Sequence, residues 1–277
     1  MTKIAWITDS TSGLTQEEAA KHNIFCVPLI VLFGEESYRD GVDITIEQFY
    51  SRIEKGELPK TSQPSVGDFV ALYKELKRKG YEKGIAVHLS SKLSGTHNTS
   101  QMAAEMAGFE VEVIDSKITS YPIIQMLLDG KRLEEEGKSF DEIVSFLREY
   151  PDRISTYVIL DNLEYVHRGG RMNAAQYILG SLLQVKPILY FPDGSVGVFE
   201  KVRTFKKAKN RIFELLSEFS SDNLRLCVAH TNVVDQAFQW KKEIKERFSN
   251  FSVTVADLGP VIGVHGGPGT IGLTWIR

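Results

Sequence analysis

The sequence predicts an α/β protein of two domains, with a parallel sheet in the N-terminal domain and a mixed sheet in the C-terminal domain. In the first half, short apolar runs alternate with segments that show apolar residues at helical spacing, a pattern typical of βαβ units. In the second half, two strand-like runs flank Asp193-Gly194, a turn pair that predicts a hairpin. Proline and charge in "EYPDRIS" predict a boundary that separates residues 1–153 from residues 154–277.

The N-terminal elements are predicted from hydrophobic period and from the residues that stop it. Buried strands are predicted in the apolar runs "KIAWIT", "IFCVPLIVLF", "GIAVHL" and "VEVID". Helices are predicted where the period is helical and ends at glycine or charge: "TQEEAAKH", "ITIEQFYSRIEKG", "SVGDFVALYKELKRKG", "NTSQMAAEMAG", "YPIIQMLLDGKRLEEEG" and "SFDEIVSFLREY".

The C-terminal elements combine strands, helices and the hairpin. A strand in "TYVIL" is followed by a helix over residues 173–184 and by the hairpin "KPILYFPDGSVGVFEKVRT". Two helix–strand units come next, and they end in "FSVTVADLG" and in a terminal strand, "GLTWIR". The hairpin is the reason to expect a mixed sheet here.

Composition excludes several classes of protein. Of the 277 residues, 42% are apolar and 25% are charged, and the net charge of −3 does not favour nucleic acid or an anionic membrane as the main partner. No apolar run approaches the roughly 18 residues of a membrane span, so we expect a cytoplasmic protein. The two cysteines stand in apolar runs and predict buried thiols, and the histidines lack metal-ligand spacing, so we expect neither metal nor cofactor.

The glycine-rich segment "HGGPGTIG" (265–272) contains a match to G-x-G-x-x-G, the dinucleotide-binding pattern. That pattern must open a helix and be followed by an acidic residue about 20 positions later, whereas five residues follow Gly272. We therefore expect these glycines to allow close backbone approach beside His265. A phosphate-binding P-loop is also not expected, because Arg132 stands where its first glycine would precede Gly137-Lys138-Ser139.

Two segments hold more hydroxyl groups than helix capping requires, "KTSQPS" (60–65) and "LSSKLSGTHNTS" (89–100). In the second, three serines and Thr96 surround Gly95 at a predicted helix N-terminus, where free N–H groups and the helix dipole favour an anion. Capping and turn formation are the alternative, and the residues alone suit phosphate as well as carboxylate. The three serines are Ser90, Ser91 and Ser94.

Basic residues and one histidine are further candidates. Arg168 and Arg171 flank a glycine pair, which we expect to leave both side chains unpacked. They could then bind a phosphate or carboxylate, dock an acidic partner, or simply form a solvated turn. Arg203, at the end of the hairpin, is the member of residues 200–211 most expected to point toward a site. His265 can donate to an anionic oxygen or be purely structural.

Taken together, these segments resemble the DegV family over the whole length of the chain. The resemblance rests on six motifs in the family's order: "TDSTSGL" (8–14), "PKTSQPS" (59–65), "SSKLSGTHNTS" (90–100), "RGGR" (168–171), "KVRTFKKA" (201–208) and "HGGPGTIG" (265–272). It implies a two-domain fold with an N-terminal Rossmann-like three-layer domain. It also implies that a long-chain fatty acid binds between the domains.

The resemblance further implies a binding subunit of a bacterial fatty acid kinase. A separate kinase subunit would phosphorylate the bound carboxylate, and the acyl phosphate would feed phospholipid synthesis, so this chain would have no ATP site of its own. Arg168 and Arg171 would face the kinase. By the same resemblance, the residues expected at the fatty acid are Thr61, Ser62, Ser94, Gly95, Thr96, Arg203, His265 and Gly266.

Two other functions stay open from the sequence. Ser94, His265 and Thr61 could serve a hydrolase or transferase that acts on an acylated or phosphorylated small molecule, although no third residue is identifiable to orient the histidine. The chain could also be a regulatory lipid sensor that has no kinase partner.

Overall fold

A computed structural model describes residues 3–161, 163–172, 185–220 and 223–277. The chain divides into two compact units, Met1–Asp152 and Arg153–Arg277. The predicted helix over residues 173–184 lies outside the described residues. No helix in the described ranges is long and apolar enough to cross a membrane.

The first unit is built on a four-stranded parallel sheet with the order β2-β1-β6-β7, as the alternation of strands and helices predicted. A second sheet, β4-β3-β5, is small and antiparallel. The elements of this unit are β1 (Ile4–Asp9), α1 (Gln16–Lys21), β2 (Ile24–Val27), β3 (Ile30–Phe33), β4 (Glu36–Arg39), α2 (Ile46–Glu54), β5 (Lys60–Ser62), α3 (Val66–Arg78), β6 (Lys83–His88), α4 (Thr96–Ala107), β7 (Val111–Asp115), α5 (Tyr121–Glu135) and α6 (Phe140–Glu149).

The small antiparallel sheet differs from the prediction, which is of a single strand over the run "IFCVPLIVLF". Pro28 divides this run, and the two halves, β2 and β3, belong to different sheets. Proline has no N–H to donate to a ladder, so a continuous central strand cannot pass through it. In the small sheet, β3 pairs with β5, and this pairing fixes the position of residues 60–62.

Capping boxes fix where four of these helices begin. The N-cap side chain accepts from the backbone N–H three residues on, and the residue at that position accepts from the N-cap N–H in return. Ser65 is the N-cap of α3 and Ser139 that of α6, so the Gly-Lys-Ser tripeptide is a capped turn between α5 and α6. The four pairs are Thr15 with Glu18, Thr45 with Gln48, Ser65 with Asp68, and Ser139 with Glu142.

The second unit has a six-stranded mixed sheet with the order β10-β9-β8-β13-β11-β12, in which only β11 and β12 pair in parallel. The predicted hairpin is confirmed: β9 and β10 are antiparallel, and Asp193 and Gly194 adopt φ of 49° and 84° in the turn. The described elements are β8 (Ile154–Ile159), α7 (Glu164–Arg168), β9 (Lys186–Tyr190), β10 (Gly197–Val202), α8 (Phe205–Ser217), β11 (Arg225–His230), α9 (Val234–Arg247), β12 (Ser252–Asp257), α10 (Pro260–Gly266) and β13 (Ile271–Ile276).

Trp6 and Gly130 show how tightly α5 packs on the parallel sheet. Trp6 is 1% exposed, and its Nε1 donates to Glu134 Oε2 on α5 at 2.6 Å. A Cβ added at Gly130 would lie 2.5 Å from Cη2 and 2.7 Å from Cζ3 of the Trp6 ring. The ring is fully buried and held at its nitrogen, so it has little freedom to move away.

We therefore expect Gly130→Ala to destabilise the protein. Alanine gains up to about 1 kcal/mol over glycine inside a helix, but overpacking a buried site costs about 1–3 kcal/mol, so where the ring cannot move the net loss reaches about 2 kcal/mol. Urea unfolding followed by circular dichroism measures it. Gly67→Ala is the control, since a Cβ there meets only Ser65 Oγ at an ordinary 3.5 Å. Equal or greater stability in both variants would contradict the expected clash.

Candidate functional site

The parallel sheet of the first unit has its switch point between β1 and β6. β2 lies beside β1 and β7 lies beside β6, so the connections that leave β1 and β6 run in opposite directions. Ligands of open α/β sheets bind in the crevice that such a reversal opens at the carboxyl ends of the strands. The segment of residues 89–100 follows β6 directly, so its hydroxyl groups start at this crevice.

Two of the hydroxyl groups in residues 89–100 hold the loop together. Ser90 is fully buried, and its Oγ accepts from the backbone N–H of Lys92 at 3.2 Å. Ser91 Oγ donates to Asp115 Oδ2 at 2.5 Å. The predicted anion site at Gly95 therefore does not include all three serines, because the hydroxyl groups of Ser90 and Ser91 have structural partners.

Ser94 and Thr96 are the hydroxyl groups at the start of α4. Their side-chain oxygens lie 2.9 Å apart. The N-cap residue, Gly95, has no side chain that could cap the helix. A helix start of this kind leaves backbone N–H groups free and presents the positive end of the dipole, and both suit an anion. Thr96 is buried whereas Ser94 is partly exposed, so Ser94 is better placed to meet a ligand.

Gln63, which sequence reasoning missed, joins the two hydroxyl-rich segments. Its Nε2 donates to Thr99 Oγ1 at 2.7 Å, and its Oε1 lies only 2.1 Å from where a Cβ at Gly95 would stand. Position 95 must therefore be glycine for this contact to form. The sequence offers no signal for it beyond a glutamine that follows two hydroxyl residues.

Thr61 and Ser62 lie on a strand, not in the loop that the sequence predicted. Both belong to β5, where Thr61 pairs with Val31 and Ser62 with Ile30 of β3. Thr61 is partly buried and Ser62 is exposed. Gln63 follows them directly, and it is Gln63 that contacts the start of α4, through Thr99.

In the second unit, His265 lies in the last turn of α10, a helix that sequence reasoning did not predict because glycine and proline fill this segment. Its ring packs against the Arg-Gly-Gly-Arg segment: a Cβ at Gly169 would lie 2.2 Å from His265 Nδ1. The Nδ1 atom is closed to solvent. If His265 contacts a ligand, Nε2 is therefore the nitrogen that does so.

Arg171 is half-buried, which contradicts the expectation that the glycine pair leaves it unpacked. Its Nη1 donates to the carbonyl oxygen of Gly169 at 2.5 Å, and burial lowers the pKa of its guanidinium. Burial, and secondly the charge of Arg171, lower the pKa of His265 to about 4. The imidazole is therefore neutral at pH 7, where it has one N–H to donate.

The glycines of residues 265–272 allow the close approach that the sequence predicted. A Cβ at Gly267 would lie 2.4 Å from Cδ2 of the Tyr165 ring, and one at Gly272 would lie 3.1 Å from the carbonyl oxygen of Tyr157 on β8. At Gly266, the backbone carbonyl accepts from Thr270 Oγ1 at 2.7 Å. These contacts fix the segment that carries His265.

The two remaining arginines differ in their surroundings. Arg168 lies in α7, with Nη1 3.9 Å from Glu164 Oε1 and its guanidinium 4.9 Å from the centre of the Tyr165 ring. Arg203 is exposed between β10 and α8, and within the described ranges its guanidinium has no ion-pair partner. Over the same ranges, no group of three or more His, Cys, Asp or Glu residues could hold a metal ion.

The sequence and the structure of this chain were compared with those of known proteins, and the matches identify its family. A DegV family model, described as "Uncharacterised protein, DegV family", matches residues 3–277. A DegV domain-containing protein of Halalkalibacterium halodurans is 43% identical over 99% of each chain. The structure of DegV, a fatty acid binding protein from Bacillus subtilis, superposes with a TM-score of 0.93 at 38% identity and covers 100% of this chain and 99% of that one. A stearic acid-binding protein from Eubacterium ventriosum has a TM-score of 0.89 at 29% identity over 100% of this chain and 98% of that one. The chain belongs to the DegV family, and its predicted α/β fold with a parallel and a mixed sheet is confirmed.

Proposed function

We propose that this protein binds a long-chain fatty acid and that the hydroxyl groups at the start of α4 bind its carboxylate. One observation carries this proposal: Ser94 and Thr96 place two hydroxyl groups at a helix N-terminus whose N-cap, Gly95, has no side chain, and this terminus lies at the switch point of the parallel sheet. Its support from outside the chain is that relatives of the same fold, from Bacillus subtilis and Eubacterium ventriosum, are fatty-acid-binding proteins.

The chemistry of this cluster suits a carboxylate that must be bound and released. A carboxylate taken out of water is costly unless its oxygens accept hydrogen bonds, and each bond to the charged group contributes roughly 1.5–3 kcal/mol. Hydroxyl groups and amide N–H groups supply such bonds without a fixed opposite charge. Thr61 and Ser62 stay in the proposal as head-group residues, because they directly precede Gln63, whose amide contacts Thr99 on α4.

The acyl chain would dominate the affinity. Each buried CH₂ contributes about 0.8 kcal/mol, so a chain of about fifteen methylenes outweighs the few hydrogen bonds of the head group. The head-group residues then set the orientation of the ligand. His265, Gly266 and Arg203 stay in the proposal as head-group residues because they match the family's motifs at their positions.

The finer part of the proposal is that a separate kinase subunit phosphorylates the bound carboxylate. Acyl phosphate formation needs a cationic surface that accepts the phosphate-bearing partner. In the described ranges Arg203 has no ion-pair partner, and Arg168 has a loose contact with Glu164 besides its position over the Tyr165 ring. These two side chains can therefore reach a partner at little cost.

The first test is whether the protein carries a fatty acid and needs Ser94 to hold it. Protein purified from a bacterial host should release a long-chain fatty acid on denaturing mass spectrometry. Ser94→Ala should weaken the affinity for palmitate about tenfold, the loss of one hydrogen bond to a charged group. Ser51→Ala is the matched control in the same unit, since Ser51 is exposed on α2, outside the candidate site. Absence of both bound lipid and palmitate binding would refute the proposed function.

The second test asks whether His265 faces the carboxylate. An anion beside an imidazole favours the charged ring, so palmitate should raise the pKa of His265 from about 4. NMR titration of the histidine ring signals with and without palmitate measures this, with His265→Asn to assign the signal. An unchanged pKa with palmitate bound would place His265 outside the head-group site.

Stability should depend on pH through the same histidine. Below its ordinary pKa of 6.5 the unfolded chain takes up a proton, whereas the folded protein does so only near pH 4. Stability is therefore lost as the pH falls from about 6.5 to about 4, by at most roughly 3 kcal/mol from this group. Urea unfolding at several pH values should show a shallower loss for His265→Asn than for the wild type, and parallel curves would contradict it.

The proposal that a kinase subunit phosphorylates the bound fatty acid is tested by measuring acyl phosphate formation. With ATP and the ATP-binding subunit of a bacterial fatty acid kinase, the protein loaded with oleate should yield acyl phosphate, which hydroxylamine traps. Arg168→Ala should spare oleate binding and lower turnover. Arg171→Ala, expected from the sequence to do the same, should also raise the pKa of His265, because the two side chains interact. Acyl phosphate hydrolysis by the protein alone would favour an enzyme instead.

A further inference from the structure

A chain of four fully buried polar side chains crosses the first unit beneath the candidate site. Asp9 Oδ2 lies 3.0 Å from His88 Nδ1, His88 Nε2 lies 3.0 Å from Ser100 Oγ, and Ser100 Oγ lies 2.5 Å from the hydroxyl of Tyr73. All four residues have 0% of their surface exposed. We name this chain the clasp: Asp9, His88, Ser100 and Tyr73.

The order of residues in the clasp is that of a Ser-His-Asp triad, but its surroundings exclude a nucleophile. Ser100 is fully buried, and its Oγ contacts both His88 and Tyr73, which leaves no room for a substrate atom. A triad also needs donors for a developing oxyanion beside the serine. The clasp therefore has a task other than catalysis.

The donors around Asp9 show what the clasp holds. Asp9 Oδ1 accepts from the N–H of Thr11 at 3.0 Å and from its hydroxyl at 2.5 Å, and Oδ2 accepts from the N–H of Leu89 at 3.0 Å. One carboxylate thus fixes the first residues after β1 and after β6, on both sides of the switch point. Leu89 is also the first residue of the segment that carries Ser94.

His88 links the two ends of that segment. It is the last residue of β6, and its ring reaches Ser100, which lies one turn after Thr96 on α4. The side-chain contact therefore closes the base of residues 89–99. Since a carboxylate only accepts, Nδ1 of His88 donates to Asp9, and in the neutral ring Nε2 accepts from Ser100.

Tyr73 extends the same chain to the other hydroxyl-rich segment. It lies on α3, the helix that follows residues 60–65, and its hydroxyl contacts Ser100 on α4. Burial raises the pKa of Tyr73, so its hydroxyl keeps the proton. Two contacts therefore lead from this part of the chain to α4: Gln63 with Thr99 just before α3 begins, and Tyr73 with Ser100 further along the helix.

We propose that His88 and Ser100 are positioning residues, which fix Ser94 and the start of α4 for a carboxylate that they do not touch. This inference rests on the proposed function. Head-group hydrogen bonds require donors held in place before the ligand arrives, because ordering a loop at the moment of binding subtracts from the affinity. The clasp meets that requirement from inside the core.

Two substitutions of His88 separate the two contacts of its ring. In His88→Asn the amide replaces Nδ1 and keeps the contact with Asp9, but it cannot reach Ser100. In His88→Gln the longer amide replaces Nε2 and keeps Ser100, while Asp9 retains its three donors from Thr11 and Leu89. Ser100→Ala removes the link from the other side. Leu147→Ala destabilises the same unit from a fully buried position in α6 that lies outside the hydrophobic cluster around Tyr73.

Palmitate affinity and hydrogen exchange are measured on the full chain, together with thermal stability. His88→Asn and Ser100→Ala should each weaken palmitate about tenfold, and His88→Gln should stay within about threefold of the wild type. In the ligand-free protein, the first two should speed amide exchange in residues 89–99, whereas Leu147→Ala should lower the melting temperature and change neither quantity.

Amide exchange and palmitate affinity together test whether the clasp positions Ser94. Unchanged exchange in His88→Asn and Ser100→Ala overturns the clasp, and faster exchange with unchanged affinity overturns its role in binding. The same loss of affinity in Leu147→Ala would reduce the effect to general stability and also overturn it. If the wild type binds no palmitate, the proposed function fails, and selective exchange in residues 89–99 alone decides whether the clasp holds the segment.

Discussion

The buried carboxylate of Asp9 is the constraint on which the first unit depends. A charge without exposed surface persists only when its oxygens accept hydrogen bonds, and Asp9 meets this with Thr11, Leu89 and His88. Each donor comes from a loop or strand end at the same edge of the parallel sheet. The need to satisfy one charge therefore sets the positions of the segments that form the candidate site. The same hydrogen bonds explain why this edge of the sheet is ordered although it buries the polar residues Asp9, Thr11 and His88.

The sequence predicted the elements better than it predicted their contacts. The parallel sheet, the hairpin at Asp193-Gly194 and the hydroxyl-rich helix start at Gly95 follow from period, turn residues and capping rules, which are local properties. Gln63 could not be foreseen, because its role depends on a glycine 32 positions away that leaves room for it. The same holds for Asp9 and His88, the last residues of β1 and β6, which meet only through the pairing of these two strands.

The second unit shows a comparable dependence of one motif on another. Gly169 lacks a side chain where the ring of His265 packs, and Gly267 lacks one where the ring of Tyr165 packs. The Arg-Gly-Gly-Arg and His-Gly-Gly segments are thus two halves of one packing arrangement between α7 and α10. Considered alone, the Arg-Gly-Gly-Arg segment predicts an unpacked Arg171, because nothing in it indicates contact with residues 265–267. Its half-buried guanidinium instead helps to keep His265 neutral.

That neutrality bears on how a fatty acid could be both held and passed on. A protonated imidazole beside a carboxylate would form a buried ion pair, whose loss on release or on phosphorylation would leave an unpaired charge. A neutral imidazole with one N–H can donate to such an oxygen, and release of the ligand then leaves no unpaired charge on the ring. In the proposed reaction, phosphorylation adds negative charge to the head group, and neutral donors such as hydroxyl groups can reorient toward it. Under the proposed function, the affinity would therefore reside mainly in the acyl chain, and the polar residues would orient the head group in each of its states.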